Sequence, residues 1–133
     1  MISVLLDTNI CIYLMKHNPP GVQKRFSQYQ AGDIGISSVS VAELEYGVKQ
    51  SAVPERNARV LEAFLLPLEI VPFDTMAAQA YGVIRADLER RGQIIGSLDM
   101  LIAAVAISRK CLLVTHNLRE FSRVEDLACE TWV

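Results

Sequence analysis

Short apolar runs that alternate with helix-length segments constrain this chain more than any other feature. The first, Ile2-Ser3-Val4-Leu5-Leu6, is too short for a free-standing helix and reads as a strand buried on both faces. Ile34-Gly35-Ile36-Ser37, Leu68-Glu69-Ile70-Val71-Pro72 and Cys111-Leu112-Leu113-Val114-Thr115 follow as further strands, and Glu130 to Val133 reads as a closing edge strand. Between them the apolar spacing turns helical. Ile10, Tyr13 and Leu14 recur after Asp7, and Asn18-Pro19-Pro20-Gly21 then breaks the chain before a helix over Val22 to Gln30. The segment carrying Glu43 ends near Ser51. Pro54 suits the first turn of a helix reaching Leu66, with Val60, Leu61, Phe64 and Leu65 on one apolar face. Asp74 caps a long helix that stops around Gly92, and Asp99 opens another. Strands alternating with helices predict a three-layer α/β/α fold around a mainly parallel sheet of four to five strands.

At 133 residues the chain is the size of a single domain, residues 1–133, and a hydrophobic share of 51% is ample for its core. It shows no repeats, linkers or low-complexity segments. Nowhere do 18 uncharged apolar residues follow one another, so no membrane span is expected. Asp7 interrupts the only early apolar run, which argues against a secretory leader. Cys11, Cys111 and Cys129 form no metal-binding spacing and leave an odd count; in apolar runs they read as reduced core residues, consistent with a cytoplasmic location.

Three carboxylates carry the chemistry. Asp7 ends the first strand, at the sheet edge where open α/β folds bind ligands. Glu43 lies in Ser38-Val39-Ser40-Val41-Ala42-Glu43, and Asp99 precedes Met100-Leu101-Ile102-Ala103-Ala104-Val105-Ala106-Ile107, a run apolar enough to demand burial on nearly every side. Each also has a purely structural reading. Asp7 suits a helix cap, Ser40 with Glu43 matches a capping box, and Asp99 in a first turn favours the helix dipole. Jointly they say more, because acids gathered at one sheet edge repel and raise one another's pKa unless a cation is present. Hard oxygen ligands without a Cys or His cluster favour Mg²⁺ or Mn²⁺ over zinc, and so point to phosphoryl chemistry.

The net charge of −2 is unusual for a protein that handles nucleic acid, whose phosphates call for a basic surface. Distribution offers a resolution. Lys16, His17, Lys24, Arg25, Lys49, Arg85, Arg90, Arg91 and Arg119 supply candidates for a basic rim around an acidic centre, against the simpler reading of solvated surface positions. Without a broad basic surface, recognition of a particular folded RNA is expected rather than indiscriminate digestion.

The segments LLDTNICIYLMK, SVSVAELEYG, PERN and IIGSLDMLIAAVAISRKCLLVTHNLREF, together with the closing Glu130-Thr131-Trp132-Val133, cover nearly the whole chain. In this order they resemble the PIN-domain ribonucleases, specifically the VapC toxins of bacterial VapBC toxin–antitoxin pairs. The resemblance implies a PIN-like sandwich, an Mg²⁺-dependent (or Mn²⁺-dependent) endoribonuclease, and Asp7, Glu43 and Asp99 as its acidic metal site. It further implies a VapB-like antitoxin partner that wraps the helices around Ile10 to Met15, Val41 to Val48 and Val60 to Leu65, and a homodimer or a hetero-oligomer with that antitoxin. The implied substrate is a structured RNA, preferentially a tRNA anticodon loop. One departure stands out. Many PIN domains carry a fourth acid just after the last central strand, where this chain has Thr115-His116-Asn117; Asn117 can offer an amide oxygen, Glu120 a carboxylate, and Asn117 equally suits a helix cap.

Other readings of the same residues are a metal-dependent DNA or flap nuclease, an aspartyl-phosphate phosphatase, and a catalytically silent binding protein of the same fold. The chain lacks the long insertions that thread DNA. It has Asn9 where a phosphatase needs a second Asp, and it keeps all three acids that a silent protein has no need of.

Overall fold

The computed structural model describes residues 1–133. Five strands, β1 (Val4–Leu6), β2 (Ile34–Ser37), β3 (Glu69–Val71), β4 (Leu112–Val114) and β5 (Cys129–Glu130), form one sheet in the order β3-β2-β1-β4-β5. Every neighbouring pair is parallel. Parallel strands need crossovers, and helices α1 (Thr8–Lys16), α2 (Pro20–Phe26), α3 (Ser38–Gln50), α4 (Pro54–Leu65), α5 (Thr75–Arg91), α6 (Ser97–Arg109) and α7 (Leu118–Phe121) fill the connections. The sheet is therefore wholly parallel rather than mainly so.

Alternation along β1 divides the molecule. Val4 and Leu6 point into a core shared with Ile10, Leu14, Leu44 and Leu61 of α1, α3 and α4, whereas Leu5 points into one shared with Ile84, Leu88, Ile102 and Val105 of α5 and α6. This is the three-layer arrangement. Each fully buried side chain of the class of Leu5, Leu113 or Phe121 contributes roughly 1.5–3 kcal/mol. Gly35 has a steric reason: a methyl group there would stand 2.8 Å from Ile2 Cδ1 and 3.1 Å from the Glu69 carbonyl oxygen, so any larger residue would make Ile2 move and crowd the β3 backbone.

Several local expectations hold. Asp74 Oδ1 accepts a hydrogen bond from the Ala77 amide to cap α5, Gly92 closes that helix with a left-handed φ of 66°, and Pro54 opens α4. All three cysteines are free, with Cys11 and Cys111 buried. No helix is long and apolar enough to cross a membrane.

Three expectations are corrected. The second helix ends at Phe26 rather than Gln30, because the chain turns there and Tyr29 leaves the helix to stack on Trp132, ring centroids 5.5 Å apart. The closing strand is Cys129–Glu130, and Glu130 to Val133 is not one: beyond Glu130 the chain drops Trp132 into the core instead of continuing the ladder. The capping box does not form. Helix α3 starts two residues before Ser40, Ser37 Oγ caps it by accepting from the Val39 amide, and Ser40 is buried inside the helix.

Candidate active site

Strand order fixes where a site can form. From β1 the chain steps outward through β2 and β3, then returns to the other side of β1 as β4 and β5. The connections leaving β1 and β4 therefore diverge, opening a crevice at their carboxyl ends. Asp7 follows β1 and Thr115 follows β4, and they meet across that crevice.

Asp7 is 4% exposed, which is expensive for a carboxylate unless its oxygens are satisfied. Oδ1 accepts from the Thr8 amide at 2.8 Å and Oδ2 accepts from Thr115 Oγ1 at 2.7 Å. The first bond makes Asp7 the N-cap of α1, so cap and candidate ligand are one residue. Thr115 is itself held, since its Oγ1 accepts from the Asn117 amide at 2.9 Å. Burial nevertheless raises the Asp7 pKa; the two hydrogen bonds lower it only in part, and Glu43 adds a small further push upward. Directly beneath, the Cys11 thiol is pushed up by its own burial and by Asp7, and stays protonated.

Glu43 does not open α3 but lies in its second turn, facing α1, where Thr8 Oγ1 donates to its Oε1 at 2.7 Å. Thr8 thus binds Asp7 with its amide and Glu43 with its hydroxyl. Asp99, in the first turn of α6, approaches from the opposite layer of the sandwich. Its pKa is pushed up to about 6, chiefly by burial, then by the charges of Asp7, Glu120 and Glu43. Repulsion among the acids is real but secondary to desolvation.

Glu120 and Asn117, the two candidates for the fourth position, are placed differently. Glu120, half-buried on α7, is close enough to act on Asp99. Asn117 stands at the start of α7 with no capping hydrogen bond from its side chain, and only its backbone amide engages the site, through Thr115. Sequence reasoning missed the two threonines as site residues. The signal for both was a hydroxyl beside a strand-end turn, in Asp7-Thr8-Asn9 and Val114-Thr115-His116, where a buried carboxylate needs donors.

Of the basic rim candidates, four are drawn into ion pairs, whereas Lys16, His17, Lys24, Lys49 and Arg119 are not. Arg90 and Arg91 both pair with Asp87, and Arg85 with Glu89, all within α5; Arg25 pairs with Glu130. Lys16 does reach the neighbourhood of Glu43, along a groove of about 620 Å³ between α1, α3 and α4 that Ile12, Met15, Val60 and Leu61 also line.

The arrangement suits a hard divalent cation by donor type and charge. Asp7, Glu43 and Glu120 all act on Asp99, and no Lys or Arg offsets its charge. The side chains do not form a closed coordinating cluster of three. The fit therefore rests on oxygen donors and on charge that only a cation would balance.

Comparison with known proteins gives the family and the fold. Residues 4–127 match the PIN domain family. The chain is 45% identical over 132 residues to the tRNA(fMet)-specific endonuclease VapC of Shigella flexneri, spanning 99% of each chain. It is 46% identical over 133 residues to the ribonuclease VapC2 of Haemophilus influenzae, spanning both completely. Its fold superposes on the DNA-bound VapBC of Salmonella typhimurium with a TM-score of 0.94 and 42% identity, covering 100% of both chains.

Proposed function

Since the chain belongs to the PIN-domain family and within it to the VapC ribonucleases, we propose that it is the toxin of a type II toxin–antitoxin pair, a Mg²⁺-dependent endoribonuclease acting in the cytoplasm. The observation that carries this reading is the buried, doubly hydrogen-bonded Asp7 at the β1/β4 crevice, with Asp99 beside it at a pKa of about 6. Asp7, Asp99 and Glu43 would hold Mg²⁺ or Mn²⁺, with Glu120 rather than Asn117 as the fourth acid. Bound there, the ion would supply the Lewis acidity that activates water for attack on an RNA phosphodiester and offsets the charge developing on the phosphate.

The protein's own part is positional. Thr115 and Thr8 fix both oxygens of Asp7, so its orientation is set before any ligand arrives. The Thr8 hydroxyl couples Glu43 to the same point. Asp99 comes from the other side of the sheet, so its distance from Asp7 depends on how α6 packs against β1 and β4. The relative from Shigella supports a tRNA substrate, and we place the cut in the anticodon loop of an initiator-type tRNA.

The inhibiting partner is a VapB-like antitoxin, a reading supported by the VapBC complexes that share the fold. The α1/α3/α4 groove suits it, because its apolar walls run up to Glu43. A ligand lying there would reach the acids from the side. Exposed Tyr46 and Leu98, on either side of Val39 and Glu43, offer a second apolar surface for another copy of the chain in a homodimer or hetero-oligomer.

Total cellular RNA incubated with the purified protein and Mg²⁺, with EDTA, and with Asp99→Asn tests the reading, new 5′ ends being mapped by sequencing. A discrete cut in one tRNA that needs both metal and Asp99 is expected. Equal behaviour of wild type and a folded Asp99→Asn variant would remove the acids from catalysis.

A further inference from the structure

We propose that His116, braced by Tyr13, is a substrate-positioning residue that stacks an unpaired RNA base next to the scissile phosphate; this rests on the ribonuclease reading above. His116 lies on the connection between β4 and α7, one residue, about 3.8 Å of backbone, beyond the threonine that grips Asp7. Thr115 is buried with its hydroxyl on Asp7, whereas His116 is exposed. An exposed aromatic ring on so short a loop usually moves freely. This one is packed on one side, where it meets the Tyr13 ring of α1 edge to face, with centroids 5.9 Å apart and planes at 79°. Tyr13 is in turn half-buried against the α1 side of the core. The pair is thus an aromatic step on the loop that follows Thr115, at the rim of the crevice and open to solvent on the His116 side.

Such a step has no evident role in holding the fold, since His116 is exposed and makes no side-chain hydrogen bond or ion pair that would tie it to the rest of the molecule. It does match the need of an enzyme that cuts single-stranded loops while carrying a net charge of −2. Sequence-tolerant recognition of splayed bases rests on stacking against aromatic rings, and that contribution does not require a basic surface. The arginines drawn into pairs within α5 make this substitute the more necessary.

The test uses an RNA hairpin carrying the anticodon loop, with 2-aminopurine beside the cut. Stacking of one base predicts that His116→Ala raises KM about five- to a hundred-fold with kcat little changed, and that His116→Phe restores most of it. Tyr13→Leu, which keeps the apolar packing but removes the brace, is expected to fall between them. In an Asp99→Asn background, where nothing is cut, 2-aminopurine quenching should appear with His116 and with Phe and vanish with Ala. Unchanged KM and unchanged quenching in a folded His116→Ala protein would overturn the stacking role, as would a loss that Phe does not rescue. A wild-type protein that leaves the hairpin intact while cutting another RNA would overturn the stacking of an anticodon-loop base. One that cuts no RNA would overturn both this inference and the ribonuclease reading.

Discussion

Neutralising Asp99 should make the metal-free protein more stable, the direction expected where a proposed active site holds charge at a cost in stability. The folded-state pKa of Asp99 is raised from 3.8 to about 6 by burial and by three neighbouring acids. The folded state therefore binds more protons than the unfolded one in this range, and stability declines as pH rises. The favourable contribution is complete below about pH 4 and is lost as pH passes through about 6. At 1.36 kcal/mol per pH unit, the difference between 3.8 and about 6 is worth at most about 3 kcal/mol, and about 2 once solvent screening at a half-buried group is allowed for. Asn is isosteric and never ionises, so Asp99→Asn should recover that amount at pH 7 in EDTA, roughly a 10 °C rise in Tm for a domain of this size. The gap between variant and wild type should close below pH 4. Adding Mg²⁺ should stabilise the wild type by mass action and the variant much less, shrinking the gap from the other side. Calorimetry with EDTA at pH 4, 5.5 and 7 reads all of this. A variant no more stable than wild type at pH 7, or a gap that does not depend on pH, would refute the idea that this carboxylate is held charged at a cost.

Three further outcomes follow from the same geometry. Thr115→Val removes the only donor to Asp7 Oδ2 without changing side-chain volume, and should cost about 1–3 kcal/mol in urea unfolding together with a marked fall in cleavage. Glu120→Gln should weaken Mg²⁺ binding measured by calorimetric titration while Asn117→Ala leaves it nearly unchanged; the reverse order would return the fourth position to Asn117. Gly35→Ala should destabilise by about 1–3 kcal/mol, because its methyl group would press on Ile2 and on the β3 backbone; an unchanged urea midpoint would mean that the β2–β3 contact is loose.

Much of this was legible in the sequence for a simple reason. Strands buried on both faces are apolar throughout, so Val4–Leu6 and Leu112–Val114 announce themselves, and the acids that end or follow such strands are conspicuous by contrast. What was not legible depends on choices among equivalent residues. The stretch Ser37-Ser38-Val39-Ser40 offers three serines for one cap, and tertiary contacts decide: Ser37 takes the cap, Ser38 Oγ instead accepts from the Phe73 amide, and Ser40 is buried. Likewise nothing local says whether Glu120 or Asn117 faces Asp99, because α7 is a single short turn whose direction is set by Phe121 entering the core. The arginines of α5 looked available for RNA until their acids, three and four residues away along the helix, claimed them.

The bond from Thr115 to Asp7 joins residues 108 positions apart, across the two central strands of the sheet. During synthesis, at roughly 5–20 residues per second, the segment bearing Asp7 leaves the ribosome well before β4 exists for it to pair with. A chain halted between Asp99 and Thr115 has three of its acids but lacks the hydroxyl that holds the first of them. The topology thus orders the assembly of the site: Asp7 gains the donor to its Oδ2 only once β4 has paired with β1 and Thr115 has followed it.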